Sequence, residues 1–256
     1  LGIMKFNVFD KIVNDLTDMI KKYNQKPEFI ALFKDGEPLL NKNLIPMISL
    51  LDKNQLSSRI HLTTNGSLIN RDISEKLVGS GLKEIRFSIY HVNEKGYFGL
   101  TRKKINFKNL VEKLKEFWEI NKSFGSPINV RIHTIDVNYT KSEKEEFKNI
   151  FEEISNTIKF EPLHGWSSTE KLNQGGTITP EFSKDKIICA QPFSRMTVLH
   201  NGDVTPCCVD WSHKLVQGNV MNESLDKIWN QNCNQLRLDH INNKIKKNSP
   251  CFNCEY

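Results

Sequence analysis

Residues 59–89 read RIHLTTNGSLINRDISEKLVGSGLKEIRFSI, and this stretch decides the fold class. Arg59–Thr64 is a short strand-like run that ends at Asn65-Gly66. Arg71–Val78 follows with helical spacing and stops at Gly79 and Gly81, where glycine favours a C-terminal cap. Glu84–Ile89 returns to a short strand-like run. Strand, helix and strand in that order predict a parallel β/α unit with its helix laid over the sheet.

The same alternation extends over residues 1–162. A helix over Val8–Tyr23 draws its apolar face from Phe9, Ile12, Val13, Leu16 and Met19-Ile20. A strand over Phe29–Phe33 is closed by Asp35-Gly36-Glu37-Pro38, and a helix over Leu44–Leu51 leads into the quoted unit. Beyond it come a helix at Phe107–Asn121, a strand at Asn129–Val137, a helix at Ser142–Ser155 and a strand at Thr157–Glu161. Five strands leave two architectures open, a doubly wound sheet or part of a β/α barrel. Both put working residues at strand C-termini. The positions there are Asp35–Pro38, Thr64–Gly66, Ser88, Tyr90-His91, Ile132–Asp136 and Pro162–Trp166. Neither G-x-G-x-x-G nor G-x-x-x-x-G-K-[ST] occurs, which argues against those two nucleotide folds.

A chain of 256 residues, 38% hydrophobic and 26% charged, fits one large domain or one domain with an appendage. No apolar run approaches the roughly 20 residues of a membrane span, and no signal-peptide pattern opens the chain. A cytoplasmic location without a membrane partner is expected. The net charge is 36 − 30 = +6. Its basic residues are dispersed apart from Arg102–Lys104 and Lys244–Lys247, so a nucleic-acid partner is disfavoured.

Composition changes after Trp166: residues 167–188 are rich in Ser, Thr, Gly and Lys and read as a linker. All six cysteines lie beyond it, at 189, 207, 208, 233, 251 and 254. There a hairpin is predicted, Met196–Leu199 and Val204–Pro206 around Asn201-Gly202, with one long helix near Leu225–Asn242. Clustered cysteines without a secretory signal favour metal or redox chemistry over disulfides. One close pair, Cys251-x2-Cys254, with more distant thiols suits an iron–sulfur cluster better than a zinc ribbon; zinc and plain burial stay open on spacing alone. Cys233 reads as a small buried apolar residue.

The run Cys189-x2-Pro192, Gly202-Asp203-Val204-x-Pro206-Cys207-Cys208-x-Asp210, Gly218-Asn219-Val220 and Cys251-x2-Cys254 resembles a known module. It is similar to the C-terminal auxiliary-cluster domain of radical S-adenosylmethionine enzymes, in the shortened SPASM form called a twitch domain. That resemblance implies an auxiliary [4Fe–4S] cluster on Cys189, Cys207, Cys251 and Cys254, with Cys208 as a non-ligand neighbour. Phe33-x2-Gly36-Glu37-Pro38 resembles the same family's Gly-Gly-Glu-Pro motif, with Asp35 replacing the first glycine. Thr63-Thr64-Asn65-Gly66 and Phe87-Ser88-Ile89 follow in the family's order.

The resemblance implies a partial β/α barrel in residues 1–166, a linker at 167–182 and the auxiliary-cluster domain at 183–256. It implies S-adenosylmethionine held by Gly36, Glu37, Pro38, Asn65 and Ser88, with Arg131 and His133 as further candidates and Trp166 as a wall. The implied activity is hydrogen abstraction by a 5′-deoxyadenosyl radical from a small-molecule or peptide substrate, with an external electron donor. The family's cleaving [4Fe–4S] cluster sits on Cys-x3-Cys-x2-Cys after a first strand, and neither is found ahead of the first helix here. A chain opening on Leu1 is therefore expected to be a shortened piece, inactive alone, with the second cluster only if the motif lies upstream. The alternative is a non-catalytic iron–sulfur or zinc module related to these enzymes.

Overall fold

The computed structural model describes residues 2–162, 188–252 and 254, so Trp166 and the 167–182 linker lie outside the described residues. Contacts divide these into two units, one of residues 26–162 and one joining residues 2–25 to those from Ile188 onward.

The first unit is built on five parallel strands, β1 (Phe29–Ala31), β2 (Arg59–Thr64), β3 (Glu84–Ser88), β4 (Asn129–Ile135) and β5 (Thr157–Glu161), with α2 (Leu44–Lys53), α3 (Arg71–Val78) and α6 (Lys141–Phe151) among the helices between them. They lie side by side in chain order, β1-β2-β3-β4-β5. A doubly wound sheet reverses its strand order at a switch point. This sheet never reverses, so the barrel alternative is the one realised, as an open arc.

Side chains alternate across each strand, so register decides what each face carries. Ile60, Leu62, Ile85, Phe87, Val130 and Ile132 share one face and are each at most 1% exposed. That face receives α5 (Phe107–Ser123), whose Phe117 ring meets Phe87 edge-on at 5.4 Å. The buried Asn121 fixes α5 to the start of β4, donating to the Ile128 carbonyl at 2.9 Å and accepting from its N–H at 3.1 Å. The opposite face carries His61, Thr63, Glu84, Arg86, Ser88, Arg131, His133, Lys159 and Glu161. A one-sided apolar face explains why the helical sequences are amphipathic while the strands mix charge with Ile and Phe.

One helix in this unit escaped the sequence reading: α4 (Glu94–Thr101), preceded by the Asn93 side chain accepting from Gly96 N–H. Two glycines within it, Gly96 and Gly99, dilute the helical signal.

In the second unit α1 (Phe6–Tyr23) packs with the C-terminal residues: Val8, Ile12 and Met19 meet Val204, Val220, Leu225 and Ile228. The Asp226 carboxylate accepts from Tyr23 Oη at 2.6 Å and Lys22 Nζ at 2.7 Å, and Asp15 accepts from Leu225 N–H at 3.0 Å. The expected hairpin is present as β6 (Thr197–Val198) and β7 (Asp203–Thr205), and β8 (Gly218–Asn219) adds a third antiparallel strand. Gly202 at φ +92° makes its turn. A short helix, α7 (Gln191–Ser194), follows Cys189.

The single long helix expected at Leu225–Asn242 is instead three pieces, α8 (Leu225–Lys227), a π turn (Ile228–Asn232) and α9 (Asn234–Ile241). The physical reason is competition for main-chain groups. Arg237 Nη1 takes the Trp229 carbonyl at 2.6 Å, and Cys233 N–H reaches back to Ile228 O at 3.0 Å. Among the described residues no helix is long and apolar enough to cross a membrane.

Phe87 sits directly before Ser88 and has no exposed surface. Phe87→Ala is expected to lower unfolding free energy by about 3–5 kcal/mol, the usual loss for a buried aromatic ring. Urea denaturation followed by circular dichroism checks this.

Candidate functional site

A cavity of about 270 Å³ opens at the C-terminal ends of the first three strands. The loop after β1 supplies Phe33, Lys34, Gly36 and Glu37; the end of β2 supplies Thr63, Thr64 and Asn65; β3 and the residues after it supply Ser88 and Tyr90. Tyr90 is braced edge-on by Tyr97 of α4 at 5.6 Å.

Glu37 holds the two loops together. Its Oε1 accepts from Thr64 Oγ1 at 2.6 Å and from Leu39 N–H at 3.1 Å, and its Oε2 accepts from Asn65 N–H at 2.8 Å. A carboxylate offers about four acceptor positions. Three are spent, and the one left belongs to Oε2. Pro38 begins the 3₁₀ turn Pro38–Leu40 that delivers the Leu39 donor, so it shapes this contact without lining the cavity. Gly36 leaves room: a Cβ built there meets no heavy atom within 4 Å. Gly66, at φ +74°, closes the Asn65-Gly66 turn.

Ser88 Oγ meets His133 Nε2 at 2.7 Å across the β3–β4 ladder. On the other side His133 Nδ1 lies 3.3 Å from Glu161 Oε2. His133 is the main cause that holds the Glu161 carboxyl down to about 2, and Arg86 adds to it. Arg131 Nη1 donates to Glu84 Oε1 at 3.2 Å and does not line the cavity. His91 is buried and stacks on Tyr139 at 4.6 Å, away from the lining residues.

Thus Gly36, Glu37, Asn65 and Ser88 come together from three strands, Pro38 and Arg131 stand behind them, and His133 joins through Ser88. Lys34 and the Glu161 contact had no sequence signal, because both depend on loop path and register. The geometry fits the ammonium and carboxylate of an amino acid. An unspent acceptor and open space at a glycine face one hollow with a paired hydroxyl.

The cysteines are in the other unit. Cys207 is buried with Val209 and Leu215, and Cys208, Leu236, Cys251 and Cys254 pack against that group. Burial pushes the Cys207 thiol up to about 12, with Cys208, Cys251 and Cys254 near enough to add to the rise. Cys251 is also raised by burial and senses Cys254 and Cys189. Cys189, Cys207, Cys251 and Cys254 are therefore neighbours in space. Cys208 is engaged elsewhere: Arg195 Nη1 donates to its Sγ at 3.0 Å, and the thiol reaches toward Gln191 Oε1 at 3.7 Å. The buried Asp210 shapes the loop after them by accepting from Leu215 N–H at 2.7 Å. Cys233 lies in an apolar cluster with Val204 and Ile228. Among the described residues no three His, Cys, Asp or Glu side chains converge on a single-ion site. The buried Cys207 with the half-buried Cys189, Cys251 and Cys254 suits a cluster that takes one thiolate per iron.

His61 on the polar face is held down to about 4, mainly by burial and then by Arg86, so its 3.7 Å approach to Glu84 is no ion pair at neutral pH. The unfolded chain takes up this proton near 6.5 and the folded chain only near 4. Stability is therefore fully present above pH 6.5 and falls as pH drops towards 4. His61→Gln is expected to flatten that part of the curve, measured as the urea midpoint across the same range.

A family model described as the Radical SAM superfamily matches residues 4–154, and one described as an iron-sulfur cluster-binding domain, SPASM, matches residues 189–255. These families imply [4Fe–4S] clusters and S-adenosylmethionine as cofactors. Among curated proteins the chain is similar to an S-adenosyl-L-methionine-dependent 2-deoxy-scyllo-inosamine dehydrogenase of Niallia circulans, 26% identical over 115 residues. That match covers 43% of this chain and 46% of the dehydrogenase, so the chain spans about half of that relative. Among solved structures it resembles BtrN in complex with AdoMet and 2-DOIA, at 17% identity and TM-score 0.57, over all of this chain and 81% of BtrN. It also resembles Streptococcus suis SuiB bound to precursor peptide SuiA, at 16% identity and TM-score 0.66, over 94% of this chain and 62% of SuiB. These two likenesses speak for the fold. With its family match spanning residues 4–154, this chain belongs to the Radical SAM superfamily and carries a SPASM iron–sulfur domain at residues 189–255.

Proposed function

We propose that the cavity at the ends of β1, β2 and β3 seats S-adenosylmethionine, and that Cys189, Cys207, Cys251 and Cys254 hold an auxiliary [4Fe–4S] cluster. The parent reaction is then hydrogen abstraction from a small-molecule or peptide substrate. The observation that carries this reading is the convergence of Gly36, Glu37, Asn65 and Ser88 on one hollow. Residues 1–166 and 183–256 are proposed as the parts carrying the two seats, joined through 167–182, with α1 as a packing partner of the second.

Gly36 lets the ligand approach the main chain, because a side chain there would occupy the hollow. The free position on Glu37 Oε2 accepts from the ligand's ammonium. Ser88, fixed by His133, presents its hydroxyl to the ligand's carboxylate or ribose, and Arg131 positions the face by pairing with Glu84. When bound beside a reduced [4Fe–4S] cluster fed by an external donor, S-adenosylmethionine supplies the 5′-deoxyadenosyl radical. The 256 residues hold no cysteine ahead of Cys189, so ligands for that cleaving cluster are not among them.

Two measurements test the reading. Equilibrium dialysis of S-adenosylmethionine against anaerobically reconstituted protein is expected to show binding that Gly36→Val weakens by about tenfold or more. The thermal midpoint should stay unchanged, since nothing lies within 4 Å of the added Cβ. Equal affinity in both proteins contradicts the seat. Iron analysis tests the thiols: Cys207→Ala, Cys251→Ala and Cys254→Ala should each lose most of the roughly four auxiliary irons per chain. Cys208→Ala should keep them, because its sulfur is turned to Arg195. Zinc in place of iron after anaerobic reconstitution would return the site to a structural metal.

A further inference from the structure

One cation on the polar face of the sheet stands apart from the others. Arg59 is paired with Glu28 at 3.6 Å, Arg131 with Glu84 at 3.2 Å and Lys159 with Glu161 at 3.4 Å. Arg86, at the centre of the middle strand, has no hydrogen bond or ion pair among the described residues. It is half-buried, and its ladder partners are Thr63 on one side and Arg131 on the other. The nearest acidic influences, Glu161 and Glu84, are already committed to other cations, and Arg131 repels it.

A guanidinium presents five donors in a rigid fork matched to two oxygens of a carboxylate or phosphate. Leaving such a group half-buried and unpaired works against stability. Glu161 and Glu84 attract it from a distance, without a hydrogen bond or ion pair. Burial lowers the Arg86 pKa from its ordinary value, as expected for a cation held out of water without a partner. Its position is informative too. Thr63 and Ser88 both line the cavity. Arg86 is the cross-strand partner of Thr63 and lies two residues before Ser88 on the same face, about 7 Å deeper along the strand. Arg86 is not one of the lining residues itself; it stands one same-face step below them on β3.

We propose that Arg86 is a specificity-determining residue that receives an anionic group of the substrate, a carboxylate or a phosphate, below the S-adenosylmethionine seat. The proposal rests on the cavity being that seat. Substrates for this protein are then anionic molecules or peptides with an acidic group close to the carbon that loses hydrogen. A neutral substrate would leave the guanidinium stranded when water is excluded.

The test uses the anaerobically reconstituted protein and three readouts. Thermal unfolding is followed for wild type, Arg86→Met and Arg86→Lys, with and without inorganic phosphate or glutarate as anion probes, and S-adenosylmethionine affinity is measured separately. Arg86→Met should unfold at the same or a higher temperature than wild type without ligand. Wild type should gain several degrees from the anions, Arg86→Lys less, and Arg86→Met none. Affinity for S-adenosylmethionine should stay within about twofold in both variants. A lower midpoint for ligand-free Arg86→Met would show that the arginine already has a partner and would overturn the proposal. So would an equal anion response in wild type and Arg86→Met, or none in wild type. A loss of about tenfold in S-adenosylmethionine affinity would assign Arg86 to that ligand's own carboxylate and likewise overturn it. If wild type binds no S-adenosylmethionine, the seat fails, while the anion readout still decides what Arg86 binds.

Discussion

The Glu37 carboxylate is the contact on which the site depends. It gathers a hydroxyl and two backbone N–H groups from two separate loops, through Thr64, Asn65 and Leu39. Charge-assisted hydrogen bonds of this kind are stronger than neutral ones, and three on one group fix its position. Without it, the loop after β1 has no polar link of this kind to the end of β2, and the hollow between them loses its wall. The sequence order Gly36-Glu37-Pro38 makes chemical sense in this light. Glycine leaves space, glutamate ties the loops, and proline starts the turn that returns a donor to the carboxylate.

The sheet extends this local tie into a wider polar face. One face is sealed by apolar side chains under the helices, which anchors the strands and so fixes where their ends stand. The other face is a register-ordered array of polar groups, in which Ser88 meets His133 and Arg131 meets Glu84 across neighbouring strands. Parallel pairing in chain order brings residues far apart in sequence onto adjacent positions of that array. In the C-terminal unit a comparable gathering is done by loops: the segment before α7, the segment after β7 and the tail each bring thiols near one another. Burial raises the Cys207 and Cys251 thiols, so a metal cluster binding there would have to displace their protons.

Much of the fold was legible because its elements are punctuated. Arg59–Thr64, Arg71–Val78 and Thr157–Glu161 fall where Asn-Gly, paired glycines and polar flanks marked them. Helix α4 was not, since its glycines hide the period, nor was β8, whose Gly218–Asn219 is too short to alternate. The break at Ile228–Asn232 arises from Arg237 capturing a carbonyl eight residues away, a tertiary event invisible to periodicity. The cavity residues were legible as ordered strand-end motifs. The spent state of Arg131, the Glu161 contact to His133 and the unpaired Arg86 were not, because each depends on which residues face one another across the sheet. Pattern distinguished Cys207 from Cys208; in the structure Cys207 is buried beside Cys251 and Cys254, while Cys208, packed against the same group, accepts from Arg195.

The most direct test of the central claim is hydrogen–deuterium exchange of the anaerobic, cluster-loaded protein with and without S-adenosylmethionine. The ligand should slow exchange in the segments spanning Phe33–Leu40 and Thr63–Gly66, whose amides Leu39 and Asn65 donate to Glu37. Protection confined to other segments, or unchanged exchange in these two at saturating ligand, would contradict the assignment of the cavity.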